Sequence, residues 1–385
     1  MVFKNNGISI RQFQILIILN AFGTGVVVLP GRAAGFAGQD GWLIVVFLAV
    51  IGVFLAWILA TVGQRMQSES FLSYSGRLLT KPVAFILGAV FLVKLLINAC
   101  LSLRLFAEML RTVLLPKTPI SVTCAVFLIV SAYAASKGVE ARARIGEMLF
   151  YIMIVPLLLM IALAFFSFDF SNLQPALSAA PDDLFAGTIR LGFVFTGLEY
   201  ILLAYPCLKR AQNSRGAVCL AAAFAGVLVV LLTLATLAAF GPLNIHAQPW
   251  PMMKMMDMAK IPFTFLERQS ALMMGFWILA AFMSINAALY YGVLLLRDMT
   301  VSIRPHGRNK YILLCIMPFV YVLSLLPCSV FDVLHYMDFL AITFGAACLV
   351  AIPLLLLAVG YVRPKPKMDD TGKTPLKEPR RNTHA

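Results

Sequence analysis

The sequence predicts an all-α integral membrane protein: ten transmembrane helices in two five-helix halves of inverted topology, the first and sixth broken at mid-membrane. Three observations carry this. Of 385 residues, 61% are hydrophobic and only 12% charged, and the mean hydropathy is +0.90, outside the range of soluble domains. About ten apolar stretches approach the roughly 20 residues that a bilayer requires. The first and sixth of them place glycine beside threonine in mid-span with proline beyond, as Asn20-Ala-Phe-Gly-Thr-Gly-Val-Val-Val-Leu-Pro30 and as Phe193-Val-Phe-Thr-Gly-Leu-Glu-Tyr200 followed by Pro206.

The spans run near 9–31, 40–63, 83–110, 119–136, 145–168, 184–207, 216–240, 270–296, 311–327 and 336–361. They form one bundle over 1–362, with repeats of about 8–168 and 183–361. Orientation follows from the cations. Arg65, Arg77 and Lys81, then Lys137, Arg142 and Arg144, then Lys209, Arg210 and Arg215, then Arg297, Arg304, Arg308 and Lys310 fall in alternate connections. Lys4 and Arg11 and the basic tail lie on that same side, so both termini are expected to be cytoplasmic. The net charge of +14 therefore concerns orientation and lipid rather than nucleic acid. Residues 363–385, rich in Pro, Lys, Asp and Thr, are expected to be a disordered cytoplasmic tail drawn to anionic membrane lipid. Lys4 precedes a long segment without a small-residue cleavage site, and that segment is needed as a span rather than as a removable signal. The connection 241–269, with its Met252-Met-Lys-Met-Met-Asp-Met258 run, is read either as an interfacial outer helix or as a Met-rich piece packed on the mouth of the bundle. The seven cysteines and four histidines have neither disulfide nor metal spacing. With no nucleophile and base at catalytic spacing and no phosphate loop, neither an enzyme nor a cofactor is expected.

A break at bilayer depth leaves N–H and C=O groups that lipid cannot satisfy, so it persists only where it lines a cavity. Around Gly23, Thr24 and Gly25 the second half-helix would begin with free N–H donors near Gly25 and Val26, suited to a carboxylate. The first half would end in free carbonyls near Asn20 to Phe22, suited to an ammonium. A small zwitterion fits both ends. Taken alone, Gly-x-Gly in a membrane helix more often marks a close helix contact. The matching interruption at Thr196 and Gly197 favours a binding site.

Ionisable residues inside the membrane are costly and therefore informative. Lys94 lies roughly 16 Å into the third span and Glu199 roughly 11 Å into the sixth, at about 1.5 Å per residue, so they either form a buried ion pair near the cavity floor or each find separate water. Arg104 and Glu108, four apart near the outer end, pair or snorkel. Asn98 and Ser102 on the third span, and Ser284 and Asn286 on the eighth, can face the cavity or glue helices together. Phe195, Tyr200, Tyr290 and Tyr291 are candidates for a side-chain pocket or gate.

Ile8-Ser-Ile-Arg-Gln-Phe-Gln14, the Gly23 to Pro30 break, the Phe-Thr-Gly-Leu-Glu-Tyr of the sixth span and Phe265-Leu-Glu-Arg-Gln-Ser-Ala-Leu before Trp277 resemble the spore-germination permease family over about residues 8–361. These are B subunits of endospore germinant receptors, within the amino acid, polyamine and organocation superfamily. The resemblance implies a LeuT-like fold and a small amino acid, L-alanine-like, held at the two breaks. By position, Gly23, Thr24, Gly25, Thr196 and Gly197 would be ligand contacts, with spans three and eight as walls. It also implies a sensor working with A and C partner subunits in the spore inner membrane. Proton-coupled relatives place a Lys on the fifth span; here that span, read from Ile145, has only Glu147. The eighth span offers Ser284 but no adjacent Ser/Thr pair. That favours a sensor that shifts a conformational equilibrium. Because Lys94 and Glu199 could shuttle protons, a proton-coupled permease or exchanger is the alternative, with a lipid or structural role behind it.

Overall fold

In a computed structural model the described residues are 7–66, 69–167, 170–195, 197–209, 214–245, 248, 250–258, 269–300 and 308–362. The chain enters its first helix, α1 (Ile10–Ala21), through a capping box: the Ser9 hydroxyl accepts from the Gln12 N–H and the Gln12 side chain accepts from the Ser9 N–H. Ile15 to Asn20 are all buried, because α1 runs through the bundle against α7 (Val139–Ser167), α10 (Arg215–Asn244) and α12 (Gln269–Thr300). A 3₁₀ turn over Thr24–Val28 joins it to α2 (Leu29–Ala37), where Pro30 sits in the first turn, a place that needs no N–H donor.

The remaining elements are α3 (Gly41–Met66), α4 (Phe71–Leu78), α5 (Lys81–Val113), α6 (Ile120–Ser136), α8 (Pro181–Arg190), α9 (Tyr200–Ala204), α11 (Pro251–Met258), α13 (Arg308–Ser324), α14 (Val330–Leu340) and α15 (Ile352–Val362). Two π-helical turns, Ala341–Gly345 and Ala347–Ala351, join α14 to α15. Among the described residues the only β pairing is an isolated bridge between Ile8 and Leu208. The fold is thus all-helical. Side chains such as Phe54, Ile129, Val155 and Phe319 stand outward and exposed, as lipid-facing residues do, while α3 and α10 pack along their length. At Gly63 a Cβ would lie 2.2 Å from the Tyr205 ring, so glycine lets α3 close on the chain after α9.

Among the described residues five helices are long and apolar enough to span a bilayer, or six if α6 and the start of α7, bent 119° at Lys137–Gly138, form one crossing. The protein is a multi-pass membrane protein. The first and sixth apolar stretches do not count as single crossings, because breaks divide them, and α13 has only 17 residues. Three boundaries are corrected. The first span continues to Ala37, α7 begins at Val139 rather than near 145, and α14 begins at Val330 rather than near 336. Of the 241–269 connection, α11 is described and packs against α10, α12 and the 3₁₀ turn, with Met252, Met253 and Met255 buried. That is the gap-filling reading, Met being the side chain that adapts to irregular space. Residues 259–268 and the 363–385 tail lie outside the described residues.

Candidate functional site

Both interruptions are present in the backbone. α1 stops at Ala21, Phe22 leaves helical geometry at ψ 40°, and Gly23 is extended at ψ 163°. In the sixth span α8 runs into a 3₁₀ turn, Leu191–Phe195, and Gly197 takes φ +114° before α9 begins at Tyr200. The two breaks touch. A Cβ on Gly197 would lie 2.9 Å from the Asn20 carbonyl oxygen, so glycine is required there for its φ and for the close approach alike.

Buried side chains converge on this junction. Lys94 and Glu199, 1% and 0% exposed, meet with Nζ 2.5 Å from Oε1, while Glu199 Oε2 accepts the Gly197 N–H at 3.0 Å. The pair is therefore built into the second break, and its charges cancel inside the bundle. Asn98 donates to the Tyr200 hydroxyl at 3.4 Å, and the Tyr200 and Tyr291 rings stack with centroids 5.3 Å apart. Arg142, buried in the first turns of α7, donates to the Tyr291 hydroxyl at 3.0 Å and to Asn20 Oδ1 at 3.1 Å. Away from this centre Arg32 of α2 and Asp338 of α14 form a two-pronged bridge of 2.7 and 2.6 Å, and Arg104 pairs with Glu108 at 2.8 Å.

Other expected site residues fall elsewhere. Asn286 donates to the Ser131 carbonyl on α6 at 2.9 Å, so it joins helices rather than facing the breaks. Phe195 packs on α3, where a Cβ on Gly52 would be 3.2 Å from its ring, and lines a cavity of about 60 Å³ with Leu48, Leu198 and Val229. Ser284 is buried on α12. Thr24 lies in the 3₁₀ turn and Gly25 follows it, whereas Thr196 lies outside the described residues. The Val26 N–H, expected as a free donor, is taken by the Gly23 carbonyl at 3.1 Å, which closes the turn on itself.

Arg142 is the residue that sequence reasoning missed. It was counted among the cations of a cytoplasmic connection, because a span read from Ile145 left it outside. Nothing local in Glu140-Ala-Arg-Ala-Arg144 separates the buried Arg142 from the exposed Arg144; only the packing of α7 on α1 does. Its charge stands at the carbonyl end of α1, which has no basic residue of its own in the last turn. A cation there gains up to about 2 kcal/mol from the helix dipole. The same charge would oppose a ligand ammonium at Asn20 to Phe22, the end that the peptide groups alone suit to one. Among the described residues no cluster of His, Cys, Asp and Glu is arranged to hold a metal ion.

An all-helical multi-pass membrane protein with two interrupted helices joined at a buried polar centre is the class that fold and site define. The chain matches the family described as Spore germination protein over residues 7–333, and it belongs to that family. Among its relatives is Spore germination protein YndE of Bacillus subtilis (strain 168), 24% identical over 94% of this chain and 99% of the relative. Spore germination protein KB of the same organism is 26% identical over 74% of this chain and 76% of its own length. Spore germination protein GerLB of Bacillus cereus is 24% identical over 94% and 96%.

Proposed function

We propose that the protein is the ligand-binding membrane subunit of a spore germinant receptor, which senses a small L-amino acid at the junction of its two broken helices. The observation that carries this is the seating of Gly197 on the Asn20 carbonyl. Two sets of interrupted peptide groups share one buried centre, and such an arrangement persists where a ligand completes it. In this reading the chain forms ten crossings in a LeuT-like pair of inverted repeats, both termini are cytoplasmic, and the membrane is the inner membrane of the spore. It works beside A and C partner subunits and does no covalent chemistry. Ligand binding shifts a conformational equilibrium by its differential affinity for the two states.

Protein reconstituted in liposomes tests the proposal. L-Alanine at a hundredfold excess over its Kd should stabilise the fold by about 2.7 kcal/mol, seen as a raised Tm, without counterflow of labelled amino acid. Absence of any stabilisation across the amino acids would refute the reading. One observation favours a second reading, the proton-coupled permease: the buried Lys94–Glu199 pair is of the kind that relays protons within membranes. Amino acid accumulation driven by a pH gradient and lost in Glu199→Gln would support that reading instead.

A further inference from the structure

Arg142 differs from the other buried charges. Lys94 has Glu199 and Arg104 has Glu108, but among the described residues no carboxylate lies within ion-pair distance of Arg142. Both of its acceptors, Asn20 Oδ1 and the Tyr291 hydroxyl, are neutral, its Nε has no hydrogen-bond partner, and the side chain is almost wholly inaccessible. The carbonyl end of α1 and the Tyr291 ring, 5.1 Å from the guanidinium carbon, lower the cost of burying that charge without supplying a counter-ion. With Lys94 and Glu199 cancelling, the polar centre at the breaks is left with one uncompensated positive charge.

Its position matches that excess. Through Asn20 the guanidinium touches the first break; through Tyr291, stacked on Tyr200, it borders the second. Of the peptide donors expected at the first break, the Val26 N–H is engaged within the turn by the Gly23 carbonyl. A guanidinium offers Nε–H and Nη–H side by side, a fork that fits the two oxygens of a carboxylate. We propose that Arg142 is the counter-charge for the carboxylate of the small molecule recognised at the breaks, so the ligand class is set by a free carboxylate held at the Asn20 end. This rests on the site of the proposed function and deepens it, and it turns the ligand end for end relative to the polarity expected from the peptide groups alone.

The test compares L-alanine, L-alaninamide and propionate by ligand-induced Tm shift on the full chain and on Arg142→Lys, Arg142→Gln and Asn20→Asp. The wild-type protein should prefer alanine to alaninamide by at least about 30-fold, the worth of a charge-assisted hydrogen bond in a buried site. Arg142→Gln should erase that preference while changing alaninamide affinity less than about threefold, and Arg142→Lys should restore part of it. Asn20→Asp, nearly isosteric, puts a resident carboxylate on Arg142. It should raise the ligand-free Tm and weaken alanine at least about tenfold. Equal affinities for alanine and alaninamide in the wild type, or an unchanged preference in both Arg142→Gln and Asn20→Asp, would overturn the assignment. Binding of propionate without alanine refutes the amino-acid reading and keeps the anchor. Binding of none of the three refutes both.

Discussion

Gly197 shows at the scale of one residue how closely the two breaks are fitted. Its φ of +114° is one that side chains avoid, and the Asn20 carbonyl fills the space where a methyl would go. Gly197→Ala is therefore expected to cost about 1–3 kcal/mol from backbone strain, and to abolish ligand-induced stabilisation even where the variant still folds. A melting curve with and without L-alanine reads both effects. Lys94 and Glu199 make the complementary case. Lys94→Met or Glu199→Gln alone leaves a buried group unmatched and is expected to destabilise by about 3–5 kcal/mol. The double variant should recover much of that loss, and a double-mutant cycle with no coupling would contradict the pairing. This pair was legible in the sequence because depth along a helix follows from residue count. Arg142 was not. Whether a residue at a helix entrance points to water or into the bundle depends on its azimuth against neighbours that sequence does not place.

Among elements, α2 and α14 are joined by Arg32 and Asp338, whose side chains are 22% and 26% exposed. Both prongs of the guanidinium are used, so the bridge fixes orientation as well as distance. Its partial exposure limits its worth to about 1 kcal/mol. Arg32→Ala is accordingly expected to raise the labelling rate of a cysteine placed at Ser284 by up to about fivefold, measured in a variant without native cysteines. An unchanged rate would mean that the bridge does not limit access to Ser284. The breaks that carry this geometry were readable from Gly23, Gly25, Gly197 and the prolines beyond them. The elbow at Gly138 and the choice of α6 as the helix that Asn286 holds were not, since both depend on which helices become neighbours.

For the whole molecule, the alternation of basic connections predicts that tags at both ends are protected from protease in right-side-out vesicles and cut in inverted ones. Cleavage of either tag in right-side-out vesicles would contradict that topology. Composition alone settled the membrane environment, because 61% apolar residues cannot be buried by one soluble core of this length. The arrangement of the spans needed coordinates, since hydropathy marks where a helix crosses and says nothing of its partners.

Ahead of α1, Ile8 donates its N–H to the Cys207 carbonyl at 2.9 Å and accepts from the Lys209 N–H at 3.2 Å. The lead-in to one broken rod is thereby stitched to the exit from the other. The two interrupted helices are thus tied by main-chain hydrogen bonds here as well as meeting at their breaks. A displacement of the amino-terminal arm would therefore act on both interrupted helices together.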